Sequence, residues 1–396
     1  MMGRMGRRGR WWLLAGCLFA IASVGVCGAE TSGGLINEDL LDHAYLARVW
    51  QTTLPLKAGE ELGSMVLLDG RLYVRSGQNY MWSIDPEDGT VVFSRSIARP
   101  GFVLLGWTSY GDRLISVIDN QLIEFDRDSG TRRRVSDPEL SIVAPPVRNS
   151  RFVYVSAADH RLHALRAMDM VQMFEASARN GSEITSVLAD EDMIVLGTEG
   201  GNLIAVRADA PRKLWQFDAG GSIAGPVVRD GQSFYFASKD TYVYRVDELN
   251  STTASLIWKH QTEAILDRPP RVTATAVYQY ARGRGVTAID KRSGKALWSL
   301  PEGVDLLAEG AGKAYVFTKI NTLAVMDNGQ GKPLYSVNFG PVTRHAANTT
   351  DAMIYIADDH GRVTCLRPVR HRTRDRAGRW ISLDPSVPTK GQGRRS

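Results

Sequence analysis

Cysteine is scarce in this chain of 396 residues: there are three, Cys17, Cys27 and Cys365, and no two are adjacent. Cys17 and Cys27 fall in the apolar N-terminal stretch, so a chain cleaved after that stretch keeps one thiol and has no partner for a disulfide. Cys-x-x-Cys, His-Glu-x-x-His and an EF-hand loop are all missing, which argues against structural or catalytic zinc and against an EF-hand calcium site. There is no Gly-x-Ser-x-Gly elbow, P-loop or Gly-x-Gly-x-x-Gly after a strand, so acyl transfer and nucleotide chemistry have no support. Histidine is also sparse, at 7 residues. His160 and His163, three apart on a strand hairpin, point to opposite faces and cannot chelate together. Long amphipathic helices are hard to find.

Glycine (38) and tryptophan (9) are frequent, and 43% of the residues are hydrophobic. Without helices, this combination points to many short strands joined by tight turns. A domain of about 300 residues buries roughly 75% of its unfolded surface, enough to be stable without disulfides.

The N-terminus carries Arg4, Arg7, Arg8 and Arg10, then an apolar run from Trp11 to Ala29, the pattern of a secretory signal over residues 1–29. Cys27-Gly-Ala29 places small residues at the cleavage positions, and cleavage there is the first expectation. Lipidation of Cys17, within Leu14-Ala-Gly-Cys17, ranks second and an uncleaved anchor third. The net charge of +5 belongs to the two ends. With the four arginines of the signal and the basic tail of residues 368–396 set aside, residues 30–367 carry about −5. A nucleic-acid groove therefore has no electrostatic basis. The tail is expected to be disordered, and membrane association is expected only through the N-terminus or this tail.

One pattern recurs along the whole chain, and such a repeat decides the fold before any local argument does. Residues 278–298 contain Tyr278, Asp290, Gly294 and Trp298; Tyr73, Asp85, Gly89 and Phe93 repeat those offsets, as do Tyr315, Asp327, Gly331 and Tyr335. Weaker copies are Leu114, Asp126, Gly130; Tyr154, Arg166, Phe174; Val195, Arg207, Trp215; Tyr235, Asp247, Trp258; and Tyr355 with Arg367. The reference positions 85, 126, 166, 207, 247, 290, 327 and 367 lie about 40 residues apart. That is the period of a β-propeller blade of four short strands, and eight marks give an all-β propeller of eight blades. The last unit lacks its outer strand, whereas Arg48–Leu54, with Trp50, precedes the first unit. Pairing these closes the ring and leaves no unpaired edge between the two ends of the chain.

Within a unit, Asp290 is expected to open an Asx-turn and Gly294 to take its positive φ. Trp298 is expected on the outer strand against the next blade, its indole N–H donating to a carbonyl. Before the ring, residues 30–47 should form a short helical lead-in capped by Asn37.

The sequence Ala288-Ile-Asp290-Lys-Arg-Ser-Gly294-Lys-Ala-Leu-Trp298 resembles the PQQ-like (pyrroloquinoline-quinone) propeller repeat, and the likeness covers nearly all of residues 48–367. It implies eight blades docked by tryptophans. Among such propellers the chain is similar to the BamB-like proteins, exported scaffolds of the outer-membrane β-barrel assembly machinery. The resemblance implies a non-enzymatic, monomeric scaffold in the periplasm or cell envelope of a bacterium, holding one or more protein partners. The quinoprotein dehydrogenases of the same repeat carry an adjacent Cys-Cys pair that this chain lacks, so neither the quinone nor its Ca²⁺ is expected. The alternative is a dehydrogenase-like or carbohydrate-binding propeller acting through its central funnel.

The loops that differ between blades are where function is sought. Ile265-Leu266-Asp267-Arg268-Pro-Pro270 is an inter-blade loop of apolar residues beside a charged pair, a candidate docking loop whose apolar residues either face the partner or fold back on the core. Asp159-His160-Arg161 and Asp358-Asp359-His360 sit between second and third strands on the same face, as binding groups or as plain hairpin tips.

Overall fold

The computed structural model describes residues 34–369, together with the backbone of Arg372–Arg374 and Trp380–Ser382. The signal, Cys17 and most of the basic tail lie outside the described residues. Within the tail those two short strands pair as a hairpin, where the sequence reading expects disordered chain.

Eight four-stranded antiparallel sheets form the ring. Blades 1 to 7 span residues 62–96, 108–136, 147–177, 184–218, 228–261, 271–300 and 303–338. Blade 8 takes three strands from residues 344–368 and its outermost strand from Leu46–Thr53. That strand pairs antiparallel with Arg362–Pro368, placing Trp50 opposite Cys365. The closure is the one read from the sequence as residues 48–54, starting two residues earlier and ending one earlier. The lead-in is a short helix, Glu38–His43, whose cap Asn37 accepts the Asp39 N–H at 2.8 Å.

Second and third strands are covered on both faces by neighbouring blades, and their sequences are nearly continuous apolar runs, as such strands require. Met193–Thr198 is buried throughout. Fourth strands, with one face at the rim, alternate. The core is divided into eight apolar clusters, one at each seam between neighbouring blades, with Leu41 and Ala44 of the lead-in joining the seam between blades 7 and 8.

The repeat residues assemble each seam. Asp290 accepts the Ser293 N–H at 2.7 Å and the Ser293 hydroxyl, holding the turn to which Gly294 contributes φ +72°; these bonds lower the Asp290 pKa, the Ser293 hydroxyl first. Asp85, Asp126 and Asp327 accept turn N–H groups in the same way. Glycine is needed there for a second reason: a Cβ at Gly294 would lie 2.6 Å from the Trp258 ring, and one at Gly89 equally close to Trp50. The aromatic of one blade thus rests on the turn of the next. Just before that aromatic the outer strand carries a bulge in every blade. Such bulges twist an exposed edge away from chance pairing.

Candidate functional site

An up-and-down blade puts its first and third turns on one face of the ring and its second turn, with the inter-blade loops, on the other. The first face is built by repetition. Trp50, Trp258 and Trp298 donate their indole N–H to Pro86 O (2.9 Å), Lys291 O (3.0 Å) and Asn328 Oδ1 (2.7 Å), each acceptor one residue after an Asp of the repeat. Trp215 packs on Phe234 of blade 5 at 5.4 Å, but its indole nitrogen has no partner. Blade 5 replaces the short turn with two nine-residue strands, Tyr242–Asn250 and Thr253–Gln261, so the waiting carbonyl is gone.

Sequence reasoning missed three substitutes that do the same work with other chemistry. Arg134 stands where other blades carry the aromatic, and its guanidinium donates to Ala167 O at 2.7 Å and Met168 O at 2.8 Å. Tyr154 donates across the next seam to Ala208 O at 2.6 Å. In blades 3 and 4 the turn Asp is replaced by Arg166 and Arg207, which clamp Asp169 and Asp209 through paired bonds of 2.6–2.9 Å. The one cue in the sequence is an acid two or three residues after the arginine.

The other face carries the loops that differ. In the 5/6 loop Ile265 is 63% exposed, whereas Leu266 is fully buried in the seam beneath. The two alternatives read from the sequence divide between the two residues: Ile265 faces solvent, and Leu266 folds back as the anchor. The Arg268 guanidinium sits over the Tyr280 ring, 4.3 Å from its centre, and the buried Gln279 amide donates to Arg268 O at 3.0 Å. Asp267 pairs with Arg282 of the adjacent hairpin at 2.8 Å. With two prolines following, the loop is held at both ends and presents Ile265 and the Arg268 edge to solvent.

Behind it a cavity of about 90 Å³ is lined by Arg268, Pro269, Arg271, Tyr280, Val304 and Asp305 among others. That is below the roughly 300 Å³ at which small-molecule pockets begin; it suits one side chain. Arg271 grips Asp305 through two bonds of 2.9 and 3.0 Å, and His345 approaches the same carboxylate at 3.3 Å. Burial alone would raise the Asp305 pKa, but bonds from His345 and Arg271 and their charge outweigh it and hold it down at about 2. Other carboxylates are taken too: Glu124 by Arg113 and Arg148, Asp190 by Arg229, and Glu309 by the hydroxyls of Thr273, Thr275 and Tyr278. Paired acids of this kind stitch neighbouring blades.

The two other candidate loops resolve as hairpin tips. Asp159 accepts the Arg161 N–H at 3.1 Å and bonds His163 at 3.0 Å; Asp358 accepts the N–H groups of His360 and Arg362 at 3.0 and 2.9 Å. Among the described residues no three His, Cys, Asp or Glu side chains gather as metal ligands do.

Comparison with known proteins agrees with this architecture. No curated protein matches the sequence. Among solved structures, BamB from Moraxella catarrhalis superposes with a TM-score of 0.61 at 17% identity, covering 81% of this chain and 97% of that one. The computationally designed Ika8 protein gives 0.60 at 12% identity (81% and 99% covered), and the C-terminal WD40 domain of Sif2 gives 0.57 at 11% (81% and 98%). At such identities the likeness speaks for the propeller fold alone. The sequence family described as outer membrane protein assembly factor BamB matches residues 41–248 and 209–320, more than half of the chain. The chain is a member of the BamB family.

Proposed function

We propose that this protein is a non-enzymatic scaffold of the bacterial cell envelope that holds a protein partner on its loop face, in the service of outer-membrane protein assembly. The observation that carries this reading is the 5/6 loop: an exposed isoleucine beside an arginine held on a tyrosine, pinned from below by Leu266 and Gln279. A loop rigid before binding loses little conformational entropy on binding, and an apolar residue beside arginine is the composition of protein interfaces. Export rests on the basic-then-apolar N-terminus and on family membership.

The test is co-purification from envelope extract. Ile265→Asp combined with Arg268→Glu should lower recovery of a partner caught by the wild-type chain by about tenfold, the size of effect that hot-spot residues have. Unchanged recovery, or a wild-type chain that retrieves no envelope protein, overturns the proposal. Intact mass of the mature chain, together with its membrane or soluble fractionation, tests export and the first residue.

A further inference from the structure

The inter-blade loops share one plan. Each ends on a residue that turns down into the seam, and Leu62, Ile142, Ile184, Ile223, Leu266 and Val342 are such buried anchors. In extended chain the residue before an anchor points the other way, out of the loop face. In the 8/1, 1/2, 2/3, 3/4, 4/5 and 6/7 loops the carbonyl of that residue also accepts an N–H from the second turn of the following blade, as Ser222 O does from Lys239 at 2.8 Å. Around the ring this position holds Glu61, Val103, Ser141, Glu183, Ser222, Ile265, Glu302 and Pro341. Val103 and Ile265 are the aliphatic members, 70% and 63% exposed. They belong to the 1/2 and 5/6 loops, four seams apart in a ring of eight blades, and so lie on opposite sides of the bore.

Val103 is not a lone surface residue of the ordinary kind. Phe102 beside it is 38% exposed, and so is 42% of Val143 in the 2/3 loop. A Cβ at Gly106 would lie 2.9 Å from Pro145, so the two loops touch. The patch is also rigid. The buried Asn79 amide donates to Arg99 O at 3.0 Å and Phe102 O at 2.9 Å, and the Leu105 N–H donates to Val117 O at 3.0 Å. Asn120 ties the blade 2 hairpin to the 2/3 loop, donating to Leu140 O at 2.7 Å and accepting the Ile142 N–H at 2.9 Å.

The rim of this patch is acidic. Asp119, next to Asn120, and Asp137 and Glu139 of the 2/3 loop are exposed, and no lysine or arginine among the described residues forms an ion pair with them. At the 5/6 loop the acids are consumed, Asp267 by Arg282 and Glu263 by Arg284, which leaves Arg268 over its tyrosine. The two loops therefore present an exposed aliphatic residue beside charge of opposite sign.

We propose that the 1/2 loop is a second docking surface, which takes a different protein from the 5/6 loop: a folded surface where lysine or arginine surrounds an apolar residue. Apolar contact supplies the affinity, and the rim charge rejects the partner suited to Arg268. Set across the bore from each other, the two loops let one face hold two proteins at once. The Val103 patch rests on its own bonds and charges, so it goes beyond the function proposed for the Ile265 loop and does not depend on it.

The test is photo-crosslinking in bacterial cells that produce the full chain with p-benzoylphenylalanine at Val103. An adduct with another protein is expected, and the peptide joined to position 103 should carry lysine or arginine beside apolar residues. The same group at Glu61, the matching position of the 8/1 loop, should give no such adduct. Asp119→Asn with Glu139→Lys should lower the adduct yield about tenfold, while Ile265→Asp with Arg268→Glu leaves it unchanged. Should the acid-loop variant melt below the wild type, the yield in envelope extract takes its place, and it should fall severalfold between about 0.05 and about 0.5 M salt. The proposal is overturned by the absence of an adduct, by one with a second copy of this chain or with lipid, by a yield indifferent to both acid-loop charge and salt, or by loss of the adduct in the Ile265 and Arg268 variant.

Discussion

The seam between blades 6 and 7 and the seam between blades 3 and 4 come from the same repeat and end differently. At 6/7, Trp298 donates to Asn328, the Asn328 amide donates to the Tyr278 hydroxyl at 2.6 Å, and that hydroxyl donates to Glu309 at 2.9 Å; Trp298 and Tyr278 rings meet at 5.8 Å. Each polar group in this relay from Trp298 to Glu309 has a partner, and burial of the tyrosine in this seam pushes its pKa upward, the Glu309 charge adding to the shift. At 3/4 the smaller ring of Phe174 meets Phe152 of its own blade at 5.8 Å, Ala176 and Ala178 follow it, and the wall opens into a groove lined by Ile204, Val206 and Pro211. The difference teaches that the repeat specifies a contact, aromatic on turn, and that a blade lacking both partners keeps its strands but leaves a groove.

The largest effect should come from removing the filled contact. Trp298→Ala takes a ring of roughly 150–250 Å² out of the core and strands the Asn328–Tyr278 pair, at a cost of about 3–5 kcal/mol. Phe174→Ala, at a half-buried site that already borders open space, should cost about half as much. Calorimetric melting of both variants checks this; equal losses would mean that the 3/4 groove is packed as tightly as the 6/7 seam. Next in size are two glycines of one blade with nearly equal φ. Gly294→Ala combines φ +72° with a Cβ 2.6 Å from Trp258, whereas at Gly283, φ +77°, a Cβ meets nothing within 4 Å. About 1 kcal/mol is expected at Gly283 from backbone conformation alone, and at least twice that at Gly294. A smaller contrast separates two indoles: Trp258→Phe loses the bond to Lys291 O, which keeps Arg245 as its other donor, at about 1 kcal/mol, while Trp215→Phe removes an N–H that has no partner and should lose less from its polar group.

The filled seams were legible in the sequence because their residues are periodic. Asp85, Gly89, Asp126, Gly130, Asp290, Gly294, Asp327 and Gly331 each stand at the expected offset and each forms the expected turn, and Trp50 at the far end of the chain betrays the closure. Blades 3 and 4 were visible as weak copies, but what replaces the motif was not. Arg134 and Tyr154 dock their blades by donating to the same kind of carbonyl that Trp258 uses, and nothing in an arginine's sequence position distinguishes that role from a solvated rim charge. Met170 takes φ +64° where other blades place glycine, a conformation that side-chain identity does not announce. In the docking loop, the split between exposed Ile265 and buried Leu266 depends on which side of a non-repeating backbone faces the seam. A groove is harder still, since it is defined by what neighbouring alanines fail to reach.

Acid should distinguish the seams once more, with the smallest effect of the set. Asp305, held by Arg271 and His345 between blades 6, 7 and 8, has its pKa lowered from 3.8 to about 2. A carboxyl depressed in the folded state contributes stability that is fully present above its unfolded pKa and is lost as pH falls through the folded one. Its contribution is therefore constant from neutrality to about pH 4 and fades between there and about pH 2. Asp305→Asn should melt below the wild type near neutrality, and the gap between the two should narrow over that acid window. At the 3/4 seam the nearest counterpart, Arg161 with Glu175, is an exposed pair with both side chains more than 40% accessible. Such pairs contribute little, so Glu175→Gln should track the wild type at every pH. A gap at Asp305 that stays constant through the acid window would show that the carboxylate's charge is not what joins these three blades.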